Sequence, residues 1–235
     1  GNVGIRNSII IIPTVGCVNK TCEIIKKRVV ECYEIDEQIQ VFTHPYGCSQ
    51  LGDDREYTAK CISALLKNPN VGGALLVSLG CENNNLEYMQ EFLGDYDKER
   101  ILTLVTQESD SEIEDGVALV RKLVKKASKD ERTMQPLSKL TIGFKCGGSD
   151  GFSGITANPL CGYLTDYFTS IGGKVILTEV PEMFGAEKEI LKRCVNENVF
   201  KKSVSMVESF KEYFVSHNQV VYENPSPGNK DGGIT

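Results

Sequence analysis

The chain has 235 residues, enough to bury a substantial core in one large or two small domains. Its 40% hydrophobic and 25% charged residues are typical of a soluble globular protein, and its net charge of −6 argues against a nucleic-acid partner. It contains no apolar run of the ~20 residues that span a bilayer, and no signal peptide is visible. The nine cysteines are scattered and include no CxxC pair, which favours free thiols in a reducing cytoplasm.

Strand-like and helix-like segments alternate along the first part of the chain. Apolar, β-branched runs predict four strands, at residues 8–13, 39–43, 71–79 and 101–106. Helical spacing predicts four helices, at residues 18–33, 55–67, 85–93 and 111–128. Such βα units predict a mainly parallel sheet with helices on both faces.

A polar stretch at residues 128–138 is typical of a linker, and the pattern restarts after it. The restart predicts two strands and three helices, in the order 140–144, 160–170, 174–178, 186–195 and 200–216. We therefore predict an α/β protein with two consecutive Rossmann-like units, each a mainly parallel sheet flanked by helices. The predicted domains are residues 1–135 and 136–235, the second truncated at its C-terminal end.

The most informative segment is residues 146–159, CGGSDGFSGITANP, which lies between a predicted strand and a predicted helix. Its glycines let the backbone approach a ligand closely, and the helix N-terminus beyond it suits a carboxylate or phosphate. A functional loop is the favoured interpretation, and a tight turn with capping residues is the alternative. The segment is not a GxGxxG fingerprint, so we expect no nicotinamide cofactor.

Other polar clusters also follow predicted strands, where open α/β sheets bind ligands. His44 is either a metal ligand or proton carrier, or a histidine satisfied by backbone contacts. Cys48 and Cys81 are similarly placed, although each alone could be a small buried residue. Four carboxylates stand out and could instead cap helices: Glu82, Glu179, Glu182 and Glu187. Carboxylates with one histidine suit a divalent cation such as Fe²⁺, Mn²⁺ or Mg²⁺.

The motifs resemble those of the altronate/galactarate dehydratase family of sugar-acid hydro-lyases along essentially the whole chain. The matching segments are GNVGIRN (1–7), PTVGCVN (13–19), THPYGCSQLG (43–52), LGCENN (79–84), CGGSDGFSGITANP (146–159), TEVPEMFGAE (178–187) and ENPSPGNK (223–230). The chain looks closer to the altronate branch than to the galactarate branch. Family members carry a further N-terminal domain and a longer C-terminal region, so we expect a fragment that lacks part of its active site.

The resemblance implies dehydration of D-altronate to 2-dehydro-3-deoxy-D-gluconate, in galacturonate catabolism, with Fe²⁺ or Mn²⁺ and without a nicotinamide. The predicted catalytic residues are His44, Glu82, Glu179 and Glu182. The predicted metal ligands are His44, Cys48, Cys81, Glu82 and Glu187. The predicted substrate-binding residues are Arg6, Asn7, Gly147, Gly148, Ser149, Asp150, Ser153, Thr156 and Asn158. For Arg6, a surface ion pair is the alternative.

Two other functions stay open. Galactarate dehydration would use the same chemistry, and a non-catalytic sugar-acid-binding domain would bind its ligand equally well after chelation. The expected partner is a small sugar acid, with no nucleic acid and no membrane. The sequence leaves the oligomeric state open, a homo-oligomer included.

Overall fold

The structure is a computed structural model, and it describes residues 3–33, 39–145, 147 and 151–221. Its internal contacts divide the chain into two compact units, Gly1–Gln135 and Pro136–Thr235.

The first unit is built on a parallel sheet. Its strands are β1 (Ser8–Pro13), β2 (Ile39–Val41), β3 (Val71–Ser78) and β4 (Ile101–Val105). Their order across the sheet is β2-β1-β3-β4, and every neighbouring pair is parallel. The central strands β1 and β3 are buried almost throughout, which explains why both read as continuous apolar runs.

Helices cover both faces of this sheet. They are α1 (Asn19–Tyr33), α2 (Gly52–Leu66), α3 (Leu86–Leu93) and α4 (Glu112–Ala127). One core cluster joins Ile11 of β1 to α1 and α4, and the other joins Ile12 to α2 and α3. Successive strand residues point to opposite faces, so the isoleucine run of β1 supplies both clusters.

The chain reverses direction across the sheet between β1 and β3. It runs from β1 through α1 to β2, and then crosses back through α2 to β3 and on to β4. The loops after β1 and β3 therefore lead to opposite faces. Such a reversal leaves a crevice beyond the carboxyl ends of the two strands, which is where α/β sheets of this kind bind ligands.

The second unit has a two-stranded parallel sheet of β5 (Thr141–Phe144) and β6 (Lys174–Leu177), joined through α5 (Ala157–Ser170). Two further helices follow, α6 (Glu187–Leu191) and α7 (Glu197–Ser216). Among the residues described for this unit, Val207 is the one buried hydrophobic residue. The unit therefore leaves much apolar side-chain surface exposed.

The predicted α/β class and the parallel sheets are confirmed. The assignment of two Rossmann-like units stays a prediction, because the second sheet has two strands in the described residues. Helix α6 ends at Leu191, earlier than predicted, and α7 begins at Glu197, also earlier. The side chain of Asn196 explains the second change, since it caps α7 by accepting a hydrogen bond from the Val199 N–H at 2.9 Å. No helix in the described ranges is long and apolar enough to cross a membrane.

Candidate functional site

The carboxyl ends of β1 and β3 meet around the carboxylate of Glu82, which is only 4% exposed. The hydroxyl of Thr14, directly after β1, donates to its Oε1, and so does the hydroxyl of Ser78 at 2.5 Å. The backbone N–H of Leu79 donates to the same oxygen at 3.1 Å, and that of Gly80 donates to Oε2 at 2.7 Å. The carboxylate thus occupies the crevice of the first sheet and ties its two sides together.

These contacts decide the charge of Glu82. Burial raises the pKa of a carboxyl group, but the hydrogen bonds from Ser78, Thr14 and the Gly80 backbone outweigh it and hold the pKa of Glu82 below its ordinary value of 4.5. A general base works best with a pKa near the working pH. The lowered pKa and the four donors favour an anchoring role for Glu82 over its predicted roles in catalysis and metal binding.

The imidazole of His44 is also engaged on both sides. Its Nδ1 accepts a hydrogen bond from the backbone N–H of Tyr46 at 3.2 Å, which places the ring proton on Nε2. That nitrogen lies 2.8 Å from the carbonyl oxygen of Pro13 and donates to it. With both nitrogens bound to backbone, the geometry favours the histidine satisfied by backbone contacts over the metal ligand or proton carrier.

The loops after β1 and β2 pack backbone against backbone. Gly47 has a φ of +98°, and a Cβ atom there would lie 2.1 Å from the carbonyl oxygen of Thr14. A Cβ atom at Gly16 would lie 2.9 Å from the carbonyl oxygen of His44. The N–H of Gly16 donates to the carbonyl of Tyr46 at 2.9 Å. The glycines of both motifs therefore serve this close approach.

The loop after β3 is joined to the same cluster. The side-chain amide of Asn83 donates to the carbonyl of Gln50 at 3.3 Å, and Arg55 donates to the carbonyl of Asn83 at 2.5 Å while stacking on the ring of Tyr88. Asn84 is fully buried, and neither atom of its side-chain amide has a partner among the described residues. Three loops from three neighbouring strands thus form one hydrogen-bonded platform.

Each of these loops carries one exposed thiol, at Cys17, Cys48 and Cys81. The Sγ of Cys48 lies 3.7 Å from the hydroxyl of Ser49, and the Sγ of Cys81 accepts from the amide of Gln107 at 3.9 Å. Within the described ranges, no group of three or more His, Cys, Asp or Glu side chains could hold a metal ion. The described residues therefore do not supply the predicted metal centre, which stays a prediction.

Arg6 and Asn7 lie at the opposite edge of the sheet, directly before β1. The side chain of Asn7 donates to the carbonyl of Ala127 at 2.9 Å, and a Cβ atom at Gly72 would lie 1.9 Å from its oxygen. The six residues of β1 put roughly 20 Å between this edge and Glu82. The first unit therefore does not bring Arg6 and Asn7 together with the carboxyl-edge residues, and Asn7 is a packing residue of the amino edge.

In the second unit, the glycine-rich segment is described at Gly147 and from residue 151 onward. The hydroxyl and N–H of Thr156 both donate to the carbonyl of Phe152, at 2.8 and 3.0 Å. The N–H of Asn158 donates to the carbonyl of Ser153 at 2.9 Å. Residues 152–158 thus form a compact turn that leads into α5. Three predicted substrate-binding residues lie outside the described residues: Gly148, Ser149 and Asp150.

Glu179 lies beyond the carboxyl end of β6 and forms an ion pair with Lys145, which directly follows β5. Its φ of +65° is unusual for a residue other than glycine, and such backbone strain is concentrated at functional sites. Glu182 lies in the same turn, where its N–H donates to the carbonyl of Glu179 at 3.0 Å. The structure therefore places two of the four predicted catalytic residues in one turn.

Glu187 has a different environment. One carboxylate oxygen lies 2.9 Å from the ammonium of Lys211, and the other accepts from the N–H of Gly185 at 2.9 Å. The hydrogen bond from Lys211 is the main reason that the pKa of Glu187 is lowered. The pair links α6 to α7, which favours a structural role over metal binding.

Sequence reasoning assigned no role to Thr14, Ser78 or Lys145, although each contacts a predicted site carboxylate. Thr14 could have been recognised from the sequence, because its hydroxyl directly follows the apolar run of β1. Lys145 had no such signal, since only the pairing of β5 with β6 brings it to Glu179. Ser78 lies four residues before Glu82 and contacts it through the turn that follows β3.

The fold and these clusters define a parallel α/β protein of the kind that binds small polar ligands beyond the carboxyl ends of its strands. The chain belongs to the D-galactarate/altronate dehydratase family. Residues 1–128 match the family model "D-galactarate dehydratase/Altronate hydrolase, second domain", and residues 137–235 match "D-galactarate/Altronate dehydratase, C-terminal".

Individual relatives agree with this assignment. The chain is 51% identical to an altronate dehydratase of Bacillus subtilis and 48% identical to one of Escherichia coli, over its whole length in both cases. It is 35% identical, over 71% of its length, to the galactarate dehydratase (L-threo-forming) of Escherichia coli, of which it covers 34%. The chain spans 48% of each altronate dehydratase, about half the length of those relatives.

Proposed function

We propose that this chain is part of an enzyme that removes water from D-altronate to give 2-dehydro-3-deoxy-D-gluconate, in galacturonate catabolism in the cytoplasm. The observation that carries the proposal is the identity of 51% and 48%, over the whole chain, to two proteins named altronate dehydratase. The match to galactarate dehydratase is weaker in identity and shorter.

The reaction sets three chemical tasks. A base must remove the proton next to the carboxylate, a cation or a set of donors must stabilise the enediolate that forms, and an acid must protonate the departing hydroxyl. A carbon acid beside a carboxylate is very weak, so the charge-stabilising groups matter as much as the base.

We assign the proton transfers to Glu179 and Glu182. They share one turn at the carboxyl edge of the second sheet, where Glu179 forms an ion pair with Lys145. Glu82 is instead buried among four donors, and both ring nitrogens of His44 are bound to backbone groups. The turn before α5 and the first turn of that helix would supply hydrogen bonds to substrate oxygens, through the predicted residues Gly147, Ser153, Thr156 and Asn158.

Dependence on Fe²⁺ or Mn²⁺ is a separate part of the proposal, and it rests on the resemblance. Because the described residues supply no set of three metal ligands, the roles assigned above are given to side chains and backbone groups alone. A chelation assay tests this part: turnover lost with EDTA and restored by Fe²⁺ or Mn²⁺ supports it, and turnover unchanged by EDTA rejects it.

The main test is turnover of D-altronate and galactarate by the intact protein, measured as 2-keto acid. We expect altronate to be the better substrate by kcat/KM. Glu179→Gln and Glu182→Gln should each lower kcat about 10²- to 10⁴-fold, because they remove a proton-transfer group. Their Tm should stay close to that of the wild type. The exposed Glu212→Gln is the matched control and should retain full activity.

Galactarate is the second candidate substrate, favoured by the family description and by the 35% identity to a galactarate dehydratase. A higher kcat/KM on galactarate would replace altronate in the proposal. Binding of either sugar acid with no 2-keto acid formed, with or without added metal, would instead identify a non-catalytic binding domain.

A further inference from the structure

The second unit contains a cleft of about 360 Å³ at the carboxyl edge of its sheet. One wall is a single face of α5, which includes Asn158, Gly162 and Asp166. Leu177, the last residue of β6, and Arg193, which follows α6, line the rest. We call this the α5 cleft. Its volume lies in the range of roughly 300–1,000 Å³ that small-molecule sites occupy.

The sequence of α5 explains why the cleft is open. Its lining residues recur at helical spacing, at positions 158, 161, 162, 165 and 166, so they share one face of the helix. None of them has a large apolar side chain. At Gly162, a Cβ atom would have no neighbour within 4 Å, so the space above that residue is empty. A helix that only packed on its sheet would present large apolar residues on the covered face.

The charges of the cleft are not neutralised by each other. Within the part of the chain that the structure describes, neither the guanidinium of Arg193 nor the carboxylate of Asp166 makes a hydrogen bond or an ion pair. Because these two groups line one cleft without pairing, the guanidinium of Arg193 can bind an anion through two parallel hydrogen bonds, and the carboxylate of Asp166 can accept hydrogen bonds from hydroxyl groups. Asn158 adds an amide that can both donate and accept.

We propose that the α5 cleft binds the carboxylate end of the sugar acid, with Arg193 on the substrate carboxylate and Asp166 and Asn158 on its hydroxyls. This inference rests on the proposed function, because it takes the ligand to be a polyhydroxy acid. A hydroxy acid matches this set of groups better than a neutral polyol, which would leave the guanidinium without an acceptor.

The test compares two ligands and three variants of the intact protein by calorimetry. D-Altronate has the carboxylate, and altritol has a hydroxymethyl group in its place. We expect Arg193→Gln to weaken altronate binding about 10- to 100-fold, the range for loss of charged hydrogen bonds, and to leave altritol binding unchanged. Arg193→Lys should retain part of the affinity. Lys202→Gln removes an exposed cation of α7 and should bind altronate as the wild type does.

Asp166→Asn tests the hydroxyl contacts separately. It should weaken the binding of altronate and of altritol to a similar extent, because both ligands carry the hydroxyl groups that Asp166 would contact. Wild-type affinity for altronate in Arg193→Gln would overturn the inference. A fall in Tm in Arg193→Gln and Asp166→Asn, without a selective loss of affinity for altronate in Arg193→Gln, would also overturn it. That result would identify the cleft as a packing surface.

The outcomes separate this inference from the proposed function, because binding tests the first and 2-keto acid formation tests the second. If the protein turns over altronate and Arg193→Gln binds it as the wild type does, the binding role of the α5 cleft is wrong and the proposed enzymatic function stands. If altronate binding depends on Arg193 but no 2-keto acid forms, the binding role of the α5 cleft stands and the proposed enzymatic function is wrong. A wild-type protein that binds neither altronate nor galactarate would reject both.

Discussion

Replacing the buried carboxylate of Glu82 with an amide should destabilise the first unit. In Glu82→Gln the side chain keeps its size but loses its charge, and one acceptor oxygen becomes an NH₂ group. The best orientation keeps the oxygen toward Thr14, Ser78 and Leu79 and turns the new NH₂ toward the N–H of Gly80. Two donors then face each other in a buried site.

The size of the effect follows from these contacts. One charge-assisted hydrogen bond is lost outright and three become neutral, which we estimate at about 2–3 kcal/mol in the free energy of unfolding. For a unit of this size, each kcal/mol lowers Tm by about 4 °C, so we expect a fall of about 8–12 °C. A residue that served only as base or metal ligand would lose turnover with Tm nearly unchanged.

The assay is thermal unfolding of the wild type, Glu82→Gln and Glu91→Gln. Glu91 is an exposed carboxylate on α3, so its substitution controls for loss of one charge and should shift the free energy of unfolding by less than about 0.5 kcal/mol. A Tm for Glu82→Gln within about 2 °C of the wild type would refute the anchoring role. It would return Glu82 to the predicted catalytic role.

The same residue gives a pH dependence. The pKa of Glu82 is lower in the folded protein than its ordinary value of 4.5, so ionised Glu82 contributes stability that is fully present above pH 4.5. That contribution is lost as the pH falls through the lowered pKa. The Tm difference between wild type and Glu82→Gln should therefore be constant near neutral pH and shrink below pH 4.5.

Two further substitutions probe the supports of the platform and of the amino edge. Gly47→Ala should lower the free energy of unfolding by about 2–4 kcal/mol, because φ is +98° and the new Cβ would lie 2.1 Å from the Thr14 carbonyl oxygen. Gly52→Ala, where φ is +53° and no atom lies within 4 Å of the new Cβ, should lower it by about 1 kcal/mol. Equal losses of Tm in the two variants would contradict the close approach. Asp130→Asn should lower the free energy of unfolding by about 1 kcal/mol, because it breaks the two-pronged pairing with Arg100 that lowers the pKa of Asp130. The difference from the wild type should shrink as the pH falls below 3.8 and through the lowered pKa, and a difference that does not shrink in this range would exclude this ion pair as its cause.

Much of the first unit could be predicted from local pattern. The isoleucine run of β1 predicts a buried strand because its side chains are apolar on both faces, and the parallel sheet required just that. The ends of short helices could not be predicted as well. Helix α7 starts at Glu197 because of one hydrogen bond from Asn196, a contact that hydrophobic spacing does not report.

The site residues divide in the same way. Sequence reasoning found Glu82 and His44 as unusual polar residues at strand ends, and both lie there. It could not foresee that four donors surround Glu82, because Thr14 comes from the end of β1 and the other three require the turn after β3 to fold back on its own strand end. Once those donors are present, a carboxylate that looks available for chemistry becomes an internal anchor.

The sequence by itself determined the alternation of strands and helices, the loops that carry polar groups, and a family resemblance that the comparisons confirm. These features are local, because apolar periodicity, glycines and motif residues are properties of neighbouring positions. Tertiary structure decided which polar groups are already satisfied and which remain available. Only packing shows that Glu82 and His44 are engaged, that Arg6 lies at the far edge of its sheet, and that Arg193 and Asp166 line one cleft without pairing. Hydrogen-bond satisfaction depends on how each turn folds and on groups that are distant in the chain and adjacent in space, such as Thr14 at Glu82 and Pro13 at His44.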